Sequence, residues 1–132
     1  MRRVPLLIVL AMLVVLSLGA CATRIQGPVT VVERDSGSMV ELRIGGKLVV
    51  VLDANPSTGH LWEIESKDMT VVRQDGEPEF EADSDVPGAA GTLTMRFEAV
   101  AAGKEWLRLV YRRPSEMGSH PVKTFELHVV VK

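Results

Sequence analysis

From residue 28 onward the chain alternates apolar and polar positions with a period of two. Val40, Leu42 and Ile44 alternate with Glu41 and Arg43; Leu93, Met95, Phe97 and Ala99 with Thr94, Arg96 and Glu98. Leu107, Leu109 and Tyr111 alternate with Arg108 and Arg112, and Phe125, Leu127, Val129 and Val131 with Glu126 and His128. Each set turns its apolar groups to one face of a strand. Lys47 to Asp53 is nearly continuous in aliphatic residues, as in a strand buried on both sides or central in a sheet. Turn signals separate the runs at Ser36-Gly37, Gly45-Gly46, Asn55-Pro56, Pro87-Gly88 and Met117-Gly118. No long window carries a helical stripe. Strands are expected over about 28–33, 39–44, 47–53, 60–65, 69–74, 92–101, 105–112 and 121–131. The expected fold is all-β, an immunoglobulin-like antiparallel β-sandwich of seven or eight strands. Trp62 and Ile64 are expected to face inward. Trp106, out of phase with Leu107, is expected half exposed or at a bulge.

The first twenty residues break this rhythm. Arg2 and Arg3 precede a run from Val4 to Leu16 that is apolar except for Pro5, and small residues follow. A basic start, an apolar middle and a small-residue end describe a secretory signal. The rival, a membrane anchor, would sit near the lower length limit for a span and has no basic stop-transfer cluster behind it. Leu18-Gly19-Ala20-Cys21 resembles the lipobox of bacterial lipoproteins. That resemblance implies residues 1–20 as a lipoprotein signal peptide, cleavage before Cys21, acylation of Cys21, and a tether over residues 21–27. Two or more acyl chains anchor a protein stably where one does not. Ala22 resembles the outer-membrane sort, so the expected place is the bacterial cell envelope, as an outer-membrane lipoprotein facing the periplasm or the cell surface.

Without the first twenty residues, 112 remain, with a net charge of −4 and an apolar content of about 41%, ordinary for a globular domain. One domain, residues 28–132, is expected, large enough for a real core. The acidic balance argues against nucleic acid as a partner. The single cysteine excludes an intrachain disulfide and a multi-cysteine metal site. Asp75, Glu77, Glu79, Glu81, Asp83 and Asp85 alternate with no Lys or Arg between them. Their spacing lacks the order of a calcium loop. They read as a solvated acidic edge that discourages strand addition, with electrostatic steering of a basic partner as the sharper alternative.

Catalytic chemistry is not legible. His60, His120 and His128 show no zinc-protease spacing, and no nucleophile elbow, phosphate loop or dinucleotide fingerprint occurs. The chain is read as no enzyme, with no cofactor and no metal.

Three loops carry a different signal. They are Asn55-Pro56-Ser57-Thr58-Gly59-His60 before Leu61-Trp62, then Pro87-Gly88-Ala89-Ala90-Gly91, then Tyr111-Arg112-Arg113-Pro114-Ser115-Glu116. In order and spacing they resemble the chagasin-type inhibitors of papain-like cysteine peptidases. That family shows Asn-Pro-Thr-Thr-Gly-aromatic-x-Trp, then Gly-x-Gly-Gly, then Tyr-x-Arg-Pro-Trp, on an immunoglobulin-like sandwich. The resemblance covers the whole of residues 28–132. It implies a monomeric inhibitor that occludes the cleft of a papain-like cysteine peptidase. Asn55, Pro56, Ser57, Thr58, Gly59 and His60 would enter the catalytic centre, with Ser57 and Thr58 near the peptidase cysteine and histidine. Gly88, Ala89, Ala90 and Gly91 would run along one side of the cleft, and Arg113, Pro114 and Ser115 would meet the other.

The chain departs from the family pattern at four of these positions. Ser115 stands for a tryptophan, His60 for an aromatic, Ala90 for a glycine and Ser57 for a threonine. Loss of an interface tryptophan removes on the order of 2 kcal/mol of binding. If the position of Ala90 needs a positive φ, the second loop must take another path. Ser115 favours the alternative function, a non-inhibitory immunoglobulin-like envelope lipoprotein that binds another periplasmic or surface protein.

Overall fold

The computed structural model describes residues 26–116 and 118–132. The expected signal peptide, Cys21 and most of the expected tether lie outside the described residues. Among the described residues nine strands form: β1 (Val29–Val32), β2 (Met39–Leu42), β3 (Lys47–Ala54), β4 (Leu61–Ile64), β5 (Val72–Gln74), β6 (Glu79–Ala82), β7 (Gly91–Ala99), β8 (Gly103–Arg112) and β9 (Lys123–Val131). One sheet has the order β1-β3-β7-β5 with β6 also on β7; the other runs β2-β9-β8-β4.

The predicted inward positions make the core between the sheets. Leu48, Val50, Leu52, Met95 and Phe97 face Leu107, Leu109, Phe125, Leu127 and Val129, all buried. Trp62 is buried as expected. Trp106 is 56% exposed and sits in an unbroken register opposite His128, so it points outward with no bulge. β3 is the central strand between β1 and β7, with only its alternate residues buried.

Three features differ from expectation. Ile44 falls beyond the end of β2 and is exposed, because the chain turns through Gly45-Gly46, where Gly46 N–H bonds to the Arg43 carbonyl. β1 pairs parallel with β3, and β2 parallel with β9. β1 and β2 are consecutive but lie in different sheets, so the chain crosses the sandwich between them and each joins the edge it meets. The ninth strand, β6, comes from the acidic alternation. It lies along β7 with all four residues exposed. The Glu79 carboxylate meets Arg96 at 3.1 Å. The acidic run therefore lies at a sheet edge, where its charges discourage further strand addition.

Strand direction defines two poles. β3 ends at Ala54, β7 begins at Gly91, β8 ends at Arg112 and β9 begins at Lys123, all at one pole. The three motif loops fill that pole.

Candidate functional site

The first loop is held by its own residues. The Asn55 side chain accepts the Ser57 N–H at 3.2 Å, and Pro56 opens a single 3₁₀ turn over Pro56–Thr58. Proline suits that place because the missing donor would have no partner there. Gly59, at φ 78°, closes the turn by donating to the Pro56 carbonyl at 3.0 Å. The Thr58 hydroxyl donates to the Asn55 carbonyl at 2.8 Å. Thr58 Oγ1 also lies 2.9 Å from His60 Nδ1. The His60 ring stacks on Tyr111 at 5.4 Å.

Tyr111 is the floor of the site. It is buried beside Trp62, with ring centroids 5.1 Å apart. Its hydroxyl accepts the Asn55 N–H at 2.9 Å and lies 3.4 Å from the Asn55 carbonyl. Trp62 Nε1 donates to the Asp53 carbonyl at 2.9 Å, fixing the end of β3 from which the loop departs.

The second and third loops fasten to the first. Asn55 Nδ2 donates to the Gly88 carbonyl at 3.3 Å. Ser57 Oγ lies 2.5 Å from Asn55 Oδ1 and 3.3 Å from the Gly88 carbonyl, so its proton serves the nearer acceptor. On the other flank, Arg113 Nε donates to the Thr58 carbonyl at 3.2 Å, and its Nη1 meets Glu116 at 3.4 Å. Thr58, the second loop and Arg113 are therefore neighbours at one pole. A rigid ridge of three loops results, with backbone and small side chains at its crest.

Residues 41–129 match the Chagasin family peptidase inhibitor I42. The chain belongs to this family. It is thus a peptidase inhibitor and not an enzyme. Amoebiasin-2 of Entamoeba histolytica is 25% identical over 101 residues, covering 76% of this chain and 82% of that protein. The crystal structure of the cysteine protease inhibitor EhICP2 from Entamoeba histolytica matches with a TM-score of 0.69 at 22% identity, over 80% of this chain and 96% of that one. PbICP-C, solved in complex with falcipain-2, matches with a TM-score of 0.54 at 17% identity, over 81% of this chain and 100% of that one. These structural likenesses establish the fold.

Within this chagasin-family domain the departures acquire positions. Ala90 has no left-handed backbone; the left-handed residue of the second loop is Gly88, at φ 81°. Ala90 thus needs no other path than the one it takes. Gly91 is the buried first residue of β7, where a Cβ would overlap the Glu81 carbonyl. It acts by letting β6 approach β7. Pro114 and Ser115 are exposed in a second 3₁₀ turn, Pro114–Glu116, on the flank of the ridge.

Two participants were not among the expected peptidase contacts, although Tyr111 opens the third motif. Tyr111 ties the first loop to β8. Val122, 65% exposed, lines a hollow of 320 Å³ with Lys123, Asp53, Thr58, His60 and Tyr111. A tyrosine at an inward position at the very end of a strand is the signal that could have disclosed the first, since a buried hydroxyl needs a partner.

Proposed function

We propose that this protein inhibits papain-like cysteine peptidases by seating the Asn55–Gly59 turn in the active-site cleft, with the Gly88 loop on one side and Arg113-Pro114 on the other. The observation that carries this reading is the cross-bonding of the three loops through Asn55, Gly88, Thr58 and Arg113. A preorganised ridge forgoes the ordering loss that weakens a flexible peptide. The shape of the turn also disfavours cleavage. Its backbone is curled into a 3₁₀ turn and a left-handed glycine, with the N–H groups of Ser57, Thr58 and Gly59 bonded within the turn. It offers no extended strand for a peptidase to align with its nucleophile.

Titration of the mature protein against papain tests the proposal. Inhibition at or below micromolar concentration is expected, and Thr58→Arg should abolish it with the melting temperature unchanged. Absence of inhibition by the unaltered protein removes the activity.

The exposed Ser115 supports a second reading, an envelope module that binds a non-peptidase protein. Under that reading the partner recovered from envelope extract is retained by Thr58→Arg.

We further propose that the protein is a monomeric lipoprotein of the outer membrane, acylated at Cys21 and facing the periplasm or the cell surface. The signal-like residues 1–20 and the Leu18-Gly19-Ala20-Cys21 sequence support this. The mass of the native N-terminal peptide tests it: a cleaved terminus carrying acyl chains is expected.

A further inference from the structure

We infer that the pole opposite the inhibitory loops is a membrane-resting face, built by Ile44 and Val100 with Arg43, and that it holds the loops pointing away from the lipid. This inference rests on the acylation of Cys21 proposed above.

The chain enters the fold at that pole. Val29, the first residue of β1, is level with Leu48, the second residue of β3. Gln26 shares a hollow with Glu41, Leu42, Arg43 and Lys132, where β2 and β9 end. Cys21 is five residues before Gln26, so its reach from this pole is at most about 18 Å. Along β3 from Lys47 to Ala54 the chain climbs about 24 Å, and the loops stand beyond that. A bilayer holding the acyl chains therefore lies next to the entry pole.

The surface there suits a lipid interface. Ile44 is 59% and Val100 38% exposed. They are neighbours, because Gly45 N–H bonds to the Ala99 carbonyl and Ala99 N–H to the Gly46 carbonyl. Arg43 adjoins Ile44 and forms no ion pair among the described residues. Exposed apolar groups beside a free cation match the acyl–headgroup boundary and its phosphates. The rival seat is the row of Met39, His128 and Trp106 across the outer face of β2, β9 and β8. That face also carries Lys104, but its Glu41, Glu63, Glu65 and Glu126 neutralise its other cations, so it offers anionic headgroups little.

The test uses the full mature lipoprotein in vesicles of phosphatidylethanolamine and phosphatidylglycerol. An acylated Cys21 has no free thiol, so Ile44→Cys, Met39→Cys and Ser115→Cys each supply one site for a nitroxide. At Ile44, collisions with lipid-soluble oxygen should exceed those with an aqueous nickel chelate by about threefold or more, with the reverse at Met39 and Ser115. A water signature at Ile44, or a lipid signature at Met39 or Ser115, overturns the resting face. Mass spectrometry of the same sample separates the underlying reading: an unacylated Cys21 overturns the anchor and the face together. Papain inhibition by the Ile44→Cys vesicles should equal that in detergent. A lipid signature at Ile44 without inhibition in either medium condemns the inhibitor reading and leaves the face intact.

Discussion

The Tyr111 hydroxyl, at the end of β8, holds the Asn55 N–H at 2.9 Å, at the end of β3 in the opposite sheet. One buried side chain thus spans the sandwich and fixes the point where the first loop leaves it. Tyr111→Phe keeps the ring packing on Trp62 and His60 and removes only the hydroxyl. The Asn55 amide is then left part-buried without its partner, at a loss of about 1–2 kcal/mol in stability. Inhibition should weaken by roughly tenfold, since the loop must be ordered on binding. An unchanged inhibition constant with lowered stability would mean that the hydroxyl serves the fold alone.

Gly91 acts through strand approach. Any side chain there meets the Glu81 carbonyl and Ala82 Cα across the β6–β7 pair. Gly91→Ala should lower stability by about 1–3 kcal/mol and free β6. Amide exchange at Asp83, which donates to the Ala90 carbonyl at 2.9 Å, is the local readout and should accelerate more than exchange in β8 or β9. Equal acceleration everywhere would show that the glycine matters only for global stability.

What the sequence disclosed follows from what leaves a periodic trace. A strand with one face in the core must alternate, so β7, β8 and β9 were legible nearly to their ends, and β3 was legible from its aliphatic run instead. β6 was not, because all of Glu79–Ala82 is exposed and its pairing is made by backbone alone. Ile44 continues the alternation of Val40 and Leu42 although the strand has stopped, since a two-residue period carries no mark of where pairing ends. Parallel pairing of β1 and β2 was hidden for a similar reason: side-chain period does not encode strand direction. The three loops were legible as motifs, but the bonds joining Asn55 to Gly88 and Thr58 to Arg113 are long-range, and only the topology brings them together. Tyr111 read as an ordinary core position because its ring is one; its hydroxyl does the positioning.

Glu105 closes the other end of the sandwich. It faces inward on β8, opposite Val129, and its carboxylate accepts the N–H groups of Thr70 at 2.8 Å, Val71 at 3.2 Å and Val72 at 3.0 Å. These amides begin β5 in the other sheet. Glu105→Ala should lower stability by about 2 kcal/mol and the melting temperature by roughly 10 °C. Because the inhibitory loops lie at the far pole, the inhibition constant at room temperature should stay within about twofold. A large change in inhibition would show that the two poles are mechanically coupled.

The Lys47–Asp75 pair sets a pH signature remote from the loops. Lys47 Nζ lies 2.9 Å from Asp75 and 3.3 Å from Glu98. The hydrogen bond from Lys47 holds the Asp75 carboxyl below its ordinary 3.8, and the bonds to Asp75 and Glu98 raise the Lys47 ammonium above its ordinary 10.5. Since folding lowers the Asp75 value, its contribution is complete above 3.8 and fades as the pH drops through the lower folded value. Since folding raises the Lys47 value, its contribution is complete below 10.5 and fades as the pH climbs through the higher folded value. The melting temperature of Asp75→Asn should therefore fall below that of the unaltered protein by a small, constant margin between about pH 5 and pH 9. The margin should close at either extreme. Both groups are solvent-exposed, so added salt should shrink it as well. A margin that persists undiminished in strong acid would show that Asp75 stabilises β5 through its uncharged contacts and not through the pair.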